Sequence, residues 1–253
     1  MRIGAQLYTV RDYMQTERDI ARSLERVANI GYKAVQASGH GKIEPERLRR
    51  LCDDMDLKIV ITHSDPARII NDTEALIAEH DILGCEYIGI GGMPGRYVID
   101  SWIDIFREDF IGPARLMRGR GKHFMYHNHA IEFSMIAGKR VIDRLLDMFS
   151  PDEMGFTFDT YWAQAAGCDV RLWIEKLGGR VPVVHLKDMD VIRATNEKKM
   201  APVGEGNMNW LDICAAFEKA GTQWMMVEQD YCERDEFDCL RSSYEYLVSL
   251  GYE

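Results

Sequence analysis

The sequence predicts one α/β domain in which eight βα units close into a (β/α)8 TIM barrel. Short apolar, β-like runs alternate with helical patterns from end to end of the 253 residues, which is the rhythm of a parallel sheet with crossover helices. Eight such pairs can be read along the chain, the number that closes a barrel whose chemistry lies at the C-terminal ends of its strands. Four of the apolar runs also finish on a carboxylate or an imidazole, where such a barrel would need them.

The first pair joins Ile3 to Tyr8 with a helix from Glu17 to Ile30, where Ile20, Leu24, Val27 and Ala28 recur at helical spacing before a stop at Gly31. The second joins Ala34-Val35-Gln36 to Glu44 through Met55, with Pro45 in the first turn, where its missing N–H costs nothing. Lys58 to Thr62 with Asn71 to Leu83 is the third, and Tyr87 to Ile90, ending in Gly91-Gly92, opens the fourth. The fourth helix spans Trp102 to Met117, and Pro113 inside it predicts a break or two helices. The fifth pair is His123 to Asn128 with Val141 to Phe149, and the sixth is Met154 to Asp159 with Val170 to Leu177, closed by Gly178-Gly179. Val181 to Leu186 precedes a polar loop containing Val203-Gly204-Glu205-Gly206-Asn207 and a helix from about Asn209 to Ala220. Trp224 to Glu228 and a helix from about Phe237 to Leu250 complete the eight. Residues 1–253 read as a single domain, without linker or low-complexity segment.

Composition narrows the function. With 46% hydrophobic residues the chain can bury a large core. A formal charge of -10, from 31 basic and 41 acidic residues, opposes nonspecific binding to nucleic acid or to an anionic membrane surface. A small neutral or weakly charged substrate is the better expectation. Cys52, Cys85, Cys168, Cys214, Cys232 and Cys239 form neither a C-x-x-C pair nor a disulfide framework. A strand-like start leaves no room for a secretory leader, and no run of about 18 apolar residues occurs, so the expectation is a cytoplasmic protein that binds no membrane.

The candidate site is built from strand ends. Tyr126-His127-Asn128-His129 with Glu132, Phe158-Asp159, His185 with Lys187 and Asp188, and Glu228 would converge if their strands are neighbours. Carboxylates with an imidazole suit one divalent ion: Mn²⁺, Mg²⁺, Co²⁺ or Zn²⁺. A carboxylate buried at Glu228 needs a cation or several donors. Asp159 is an eligible helix cap, but the helix after it is read as starting only near Asp169. His185, alone in an apolar run, would more often be a satisfied core histidine; its position between the other candidates favours a ligand. Glu132 is preferred as the first ligand because it makes the site oxygen-rich, with His127 as the alternative ligand or as acid/base. If His123, Met125 and His127 share one strand face, His127 points inward.

Gln6, His63, Trp162 and Asp188 are read as substrate-binding, Trp162 and Trp210 offering faces for a sugar ring. Exposed Trp102, Trp173 or Trp210 would equally suit contacts in a homo-oligomer. The cluster Arg115, Arg118, Arg120 and Lys122 reads as a solvated helix face. Gly91-Gly92 and Gly204-x-Gly206 match no phosphate-loop pattern, and there is no serine nucleophile elbow.

Taken together, Gly4 through Asp12, Tyr126-His127-Asn128-His129-x-x-Glu132-Phe133, Phe158-Asp159-Thr160-Tyr161-Trp162, His185-Leu186-Lys187-Asp188 and Glu228 resemble the sugar phosphate isomerase/epimerase family of xylose isomerase-like TIM barrels. The resemblance covers almost the whole chain. It implies a divalent-metal-dependent isomerase or epimerase of a sugar or keto-sugar that abstracts a proton next to a carbonyl by way of an enediolate. The metal ligands would be Asp159, His185 and Glu228 with Glu132, and His127, His129, Lys187 and Glu228 are the acid/base candidates. Many epimerases of the family carry Glu where this chain has His127, which leaves a lyase of the inosose-dehydratase or 3-keto-glycoside kind as the alternative, beside a non-catalytic sugar-binding barrel.

Overall fold

The computed structural model describes residues 1–94 and 102–253. Eight parallel strands form one sheet: β1 (Arg2–Gln6), β2 (Ala34–Ala37), β3 (Lys58–His63), β4 (Tyr87–Ile90), β5 (His123–His127), β6 (Met154–Thr157), β7 (Val183–Leu186) and β8 (Trp224–Val227). Their order, β6-β5-β4-β3-β2-β1-β8-β7, leaves only β6 and β7 to meet. They do so through a parallel bridge between Asp159 and His185, with His185 N–H donating to Phe158 O at 2.9 Å and Phe156 N–H to Arg180 O at 2.7 Å. Thr160 fastens the same seam: its hydroxyl donates to Lys187 O at 2.9 Å and accepts from Lys187 N–H at 3.0 Å. The last pair of strands to close the barrel therefore carries two of the candidate ligands side by side.

The helices α1 (Glu17–Ile30), α2 (Pro45–Asp54), α3 (Pro66–Asn71), α4 (Thr73–Leu83), α5 (Trp102–Gly119), α6 (Val141–Met148), α7 (Thr160–Ala165), α8 (Val170–Lys176), α9 (Trp210–Ala220) and α10 (Glu236–Ser249) follow the strands. Their apolar stripes pack on the outside of the sheet in one continuous core that runs from Ile3 to Leu247. A second cluster, Ala34, Val60, Ile61, Tyr87, Met125, Val183, Trp224 and Met226, fills the barrel interior. Side chains alternate along a strand, so the residue two places beyond an interior apolar one again faces inward. Met125 is thus followed by His127, Val183 by His185, Met226 by Glu228 and Ala34 by Gln36. An apolar floor lies beneath a polar layer. Gly4 belongs to that floor, since a Cβ there would lie 2.5 Å from Met226 Cε.

The structure changes several expected elements. β1 stops at Gln6 and a 3-10 helix, Leu7–Tyr13, takes over, capped by Gln6 Oε1 accepting Tyr8 N–H at 3.1 Å. The expected third helix, Asn71 to Leu83, is α4, and an unexpected short helix, α3, precedes it, with Asp72 between the two at φ −142°. Pro113 does not break α5; the buried stripe of Phe106, Phe110, Ala114 and Met117 holds the helix against the sheet across the missing N–H. The polar loop after β7 contains a hairpin, Asp188–Ile192 against Glu197–Ala201. A second, Met135–Ile136 against Lys139–Arg140, precedes α6. Trp102, Trp173 and Trp210 are buried within the chain, so none offers a surface for a partner. Lys122 is not on a solvated face: it is buried, and its ammonium donates to Cys85 O at 3.0 Å and pairs with Asp81 at 2.8 Å. Among the described residues no helix is long and apolar enough to cross a membrane.

Candidate metal centre and active site

His127, Asp159, His185 and Glu228, all buried, bring four ligand atoms within 4.8 Å of one another at the C-terminal mouth of the barrel. Each sits at a strand end for a local reason. His127 is the last residue of β5; its Nδ1–H donates to Gly91 O at 3.1 Å and its Nε2 lies 3.2 Å from Asp159 Oδ2. In the metal-free chain burial would lower its pKa, but Asp159 outweighs burial and raises it. Asp159 has two duties. Its Oδ1 caps α7 by accepting Trp162 N–H at 3.0 Å, and its Oδ2 faces the cluster. A helix does begin directly after Asp159, which caps it through Oδ1 while Oδ2 stays turned toward the cluster. Asn128 Oδ1 accepts Asp159 N–H at 3.0 Å and fixes the backbone there.

Glu132 stands outside this group. Its carboxylate is buried beneath the loop, accepting Tyr126 O–H at 2.6 Å and His129 N–H at 2.7 Å. Both oxygens are engaged in holding the short helix Ala130–Phe133, and burial, opposed by these two donors, leaves its pKa raised. It is His127, and not Glu132, that the structure brings into the group. Oxygen-rich preference is overridden by geometry: strand alternation turns His127 inward, whereas Glu132 lies a helical turn away on the loop.

Lys187 occupies the middle of the cluster. Its ammonium, fully buried, lies 3.1 Å from Asp159 Oδ2, 2.9 Å from Glu228 Oε2 and 3.0 Å from Asp230 Oδ1. In the metal-free chain, burial opposes the charged form of Lys187, but Asp159, Glu228 and Asp230 outweigh it and hold the ammonium pKa well above its ordinary value. Burial would raise Asp159, yet Lys187 and His127 hold it down at about 2. Glu228 is likewise held well below the usual carboxylate range, burial being outweighed by Lys187. Asp230, two residues after Glu228, was not singled out in the sequence; its two oxygens receive Lys187 Nζ at 3.0 and 3.1 Å.

The residues present fit a divalent cation. His185 Nε2 lies 2.7 Å from Gln36 Oε1 as its donor, so Nδ1 carries a lone pair, is buried and has no hydrogen-bond partner. Glu228 Oε2 lies 2.8 Å from that nitrogen. Burial, only partly opposed by Glu228, keeps His185 neutral with its pKa lowered. Two lone pairs facing each other at that distance in a dry interior call for a cation. Two imidazoles with two carboxylates is a donor set for Zn²⁺, Co²⁺ or Mn²⁺.

Above the cluster a cavity of about 540 Å³ is lined by His63, His127, His129, Trp162, Glu228 and Asp230, among others. His63 is half-buried, its Nδ1 3.3 Å from Ser38 Oγ and its Nε2 without a partner. Burial, with His127 and His185 nearby, holds its pKa well below the ordinary value. His129, pushed down to about 3 by burial and His127, stands 5.1 Å from the Trp162 ring. Gly91 and Gly92 make room for these rings: a Cβ would lie 3.1 Å from His63 Nδ1 or 3.0 Å from His129 Cε1. A neighbouring, mainly apolar cavity of about 650 Å³ extends past Met93, Ile131 and Trp162.

Gln6 and Asp188, expected to bind substrate, are not among the residues lining either cavity, though Gln6 Nε2 is buried without a partner. Gln6 is fully buried at the end of β1, its carbonyl used as the cap already described. Asp188 is buried behind the hairpin and is saturated: Oδ2 accepts from Gly204 N–H, Gly206 N–H and Trp210 Nε1–H at 2.9, 3.1 and 2.6 Å, and Oδ1 from Met189 N–H at 2.7 Å. It anchors the Gly204-x-Gly206 loop and the start of α9, which also removes Trp210 from any sugar-stacking role. A Cβ at Gly206 would lie 2.3 Å from Asp188 Oδ1, so the glycine is there for close approach.

The model of the family described as xylose isomerase-like TIM barrel matches residues 24–247. The chain belongs to this family. Among curated proteins it is similar to an inosose dehydratase of Lacticaseibacillus casei, 23% identical over 263 aligned positions that cover 89% of this chain and 88% of the relative. Among solved structures it superimposes on a sugar phosphate isomerase/epimerase from Parabacteroides distasonis with a TM-score of 0.82 at 21% identity, covering 97% of this chain and 93% of that one. It also superimposes on the IOLI protein with a binding zinc atom, with a TM-score of 0.74 at 10% identity, covering 99% and 98%. For the xylose isomerase-like family these likenesses agree with the architecture already described.

Proposed function

We propose that this protein is a divalent-metal-dependent enzyme that removes a proton next to the carbonyl of a sugar or keto-polyol, with isomerisation or epimerisation as the outcome. The observation that carries the reading is the buried group His127, Asp159, His185 and Glu228 at the barrel mouth beneath an open polar cavity. A bound ion would supply Lewis-acid polarisation of a carbonyl oxygen. The remaining work falls to the chain. His129, neutral and facing the cavity, is placed to take a proton, as is Glu228. Lys187 keeps its charge and is suited to stabilise negative charge developing on substrate oxygen. Trp162 offers a ring face and a free Nε1–H, suited to a carbohydrate, which pairs an apolar face with hydroxyls.

A second reading is a dehydratase. It is favoured by the similarity to curated inosose dehydratases along nearly the whole chain, with Lys187 as a buried positive charge that would stabilise a departing hydroxyl oxygen. The two readings share proton abstraction and differ in where the next proton goes. A panel of ketopentoses, ketohexoses and keto-cyclitols incubated with metal-loaded protein in heavy water separates them. Solvent deuterium in a product of unchanged carbon and oxygen content supports isomerase or epimerase, and loss of one water supports the lyase. Absence of exchange with every member of the panel would count against both.

A further inference from the structure

We propose that Gln36 is a positioning residue for the metal centre, holding His185 with its Nδ1 lone pair aimed into the cluster; this rests on the metal-site reading above. Gln36 sits in the four-residue strand β2, every residue of which is buried, and its own exposure is nil. A carboxamide in such a place is costly unless its polar atoms are engaged; Oε1 is engaged and Nε2 is buried without a partner, so the cost is borne for the one contact Oε1 makes. Gln36 shares its inward direction with Ala34 below it; the pairing with β3 shifts register there because the extra residue, Val60, lies on β3, so β2 keeps the alternation that turns Gln36 inward. The carboxamide spans the barrel interior from β2 to β7, where Oε1 meets His185 Nε2 at 2.7 Å.

That contact selects one tautomer. With Nε2–H given to Gln36, the free lone pair is on Nδ1, which faces Glu228 Oε2 at 2.8 Å and Asp159 Oδ2 at 3.8 Å. His127 is held in the opposite sense: Gly91 O takes Nδ1–H at 3.1 Å and leaves Nε2 for the cluster. Both imidazoles are therefore turned so that one ring nitrogen of each faces the cluster. The carbonyl that orients His127 is backbone and indifferent to side-chain identity, whereas the one that orients His185 is a side chain. Gln36 is thus the outer partner that substitution can remove. Loss of such partners typically costs about 10- to 100-fold in metal affinity.

The test is Zn²⁺ and Co²⁺ affinity by chelator competition on the full chain, for wild type, Gln36→Leu and Gln36→Glu, beside the thermal midpoint of each protein without metal. Gln36→Leu is expected to bind both ions about 10- to 100-fold more weakly. Gln36→Glu keeps an acceptor for Nε2–H and is expected to restore affinity to within a few-fold of wild type, which a merely space-filling role for Gln36 would not produce. Nitrogen-15 spectra of zinc-loaded wild type should show His185 protonated on Nε2. Equal affinity of Gln36→Leu and wild type, or a His185 proton on Nδ1, would overturn the positioning role alone. Failure of wild type to bind either ion would instead overturn the metal site on which the role depends.

Discussion

The Lys187 ammonium lies 3.1 Å from Asp159 Oδ2, within the same buried space toward which both imidazoles turn a ring nitrogen. One positive charge thus stands among carboxylates that would otherwise be uncompensated in the metal-free chain. Replacing Lys187 with Met removes it, and stranding a buried charge in this way costs about 3–5 kcal/mol. The metal-free variant should melt well below wild type. A divalent ion restores the missing charge, so the rise in melting temperature on adding Zn²⁺ should be larger for Lys187→Met than for wild type. Scanning calorimetry with and without Zn²⁺ checks both; an equal rise in the two proteins would mean that Lys187 and the ion do not share a site.

Metal content separates ligands from supports. Asp159→Asn retains a good helix cap and Glu228→Gln retains its shape, yet each removes a carboxylate from the cluster, so both should lose bound metal when measured by plasma mass spectrometry. Glu132→Gln should keep it, because Glu132 bonds to Tyr126 and His129 rather than to the cluster. Its cost should appear as about 1–3 kcal/mol of stability instead. Metal lost from Glu132→Gln and retained in Asp159→Asn would reverse the assignment.

Much of this arrangement is legible in the sequence because periodicity and position carry it. Eight apolar runs followed by helical patterns fix the barrel, and the polar residue at the end of a run identifies Asp159, His185 and Glu228. The same rule of alternation that turns Met125 inward also turns His127 inward, and it was a more dependable guide than the preference for an oxygen-rich donor set that favoured Glu132. Gln36 left a signal too, a lone polar residue within Ala34-Val35-Gln36-Ala37, but its partner lies 149 residues away in sequence. Asp188 resembled a site residue because it adjoins Lys187; only tertiary structure shows its oxygens turned away from the mouth toward Gly204, Gly206 and Trp210. The short helix α3 carries a local signal in Asp65-Pro66, a side-chain cap followed by proline in the first turn, whereas the continuity of α5 through Pro113 rests on its buried stripe rather than on local propensity.

Asp188 should behave as an anchor. Asp188→Ala leaves three backbone N–H groups of the Gly204–Met208 segment and the Trp210 indole N–H without their acceptor. An unpaired buried donor costs about 1–3 kcal/mol, and with some relaxation a loss of about 3–5 kcal/mol in denaturant unfolding is expected. Zinc affinity should stay within a few-fold of wild type. A variant of undiminished stability that binds substrate poorly would return Asp188 to the binding site.

A pH dependence follows from His80, far from the metal cluster on α4. The ring is buried; Nδ1–H donates to Leu76 O at 2.8 Å, and Nε2 accepts from the Thr62 hydroxyl at 2.8 Å. Both nitrogens are used by the neutral form, and burial, aided by Lys122, pushes the pKa down to about 4 despite the Leu76 carbonyl. The unfolded chain binds this proton near pH 6.5, so the folded state binds fewer protons across the interval between the two values. His80 therefore contributes stability that is fully present above about pH 6.5 and is lost progressively as pH falls to about 4, to the extent of about 3 kcal/mol. His80→Gln has no proton to gain. Urea unfolding across this range should show a shallower acid decline for the variant than for wild type, and parallel declines in the two would show that His80 is not the group being titrated.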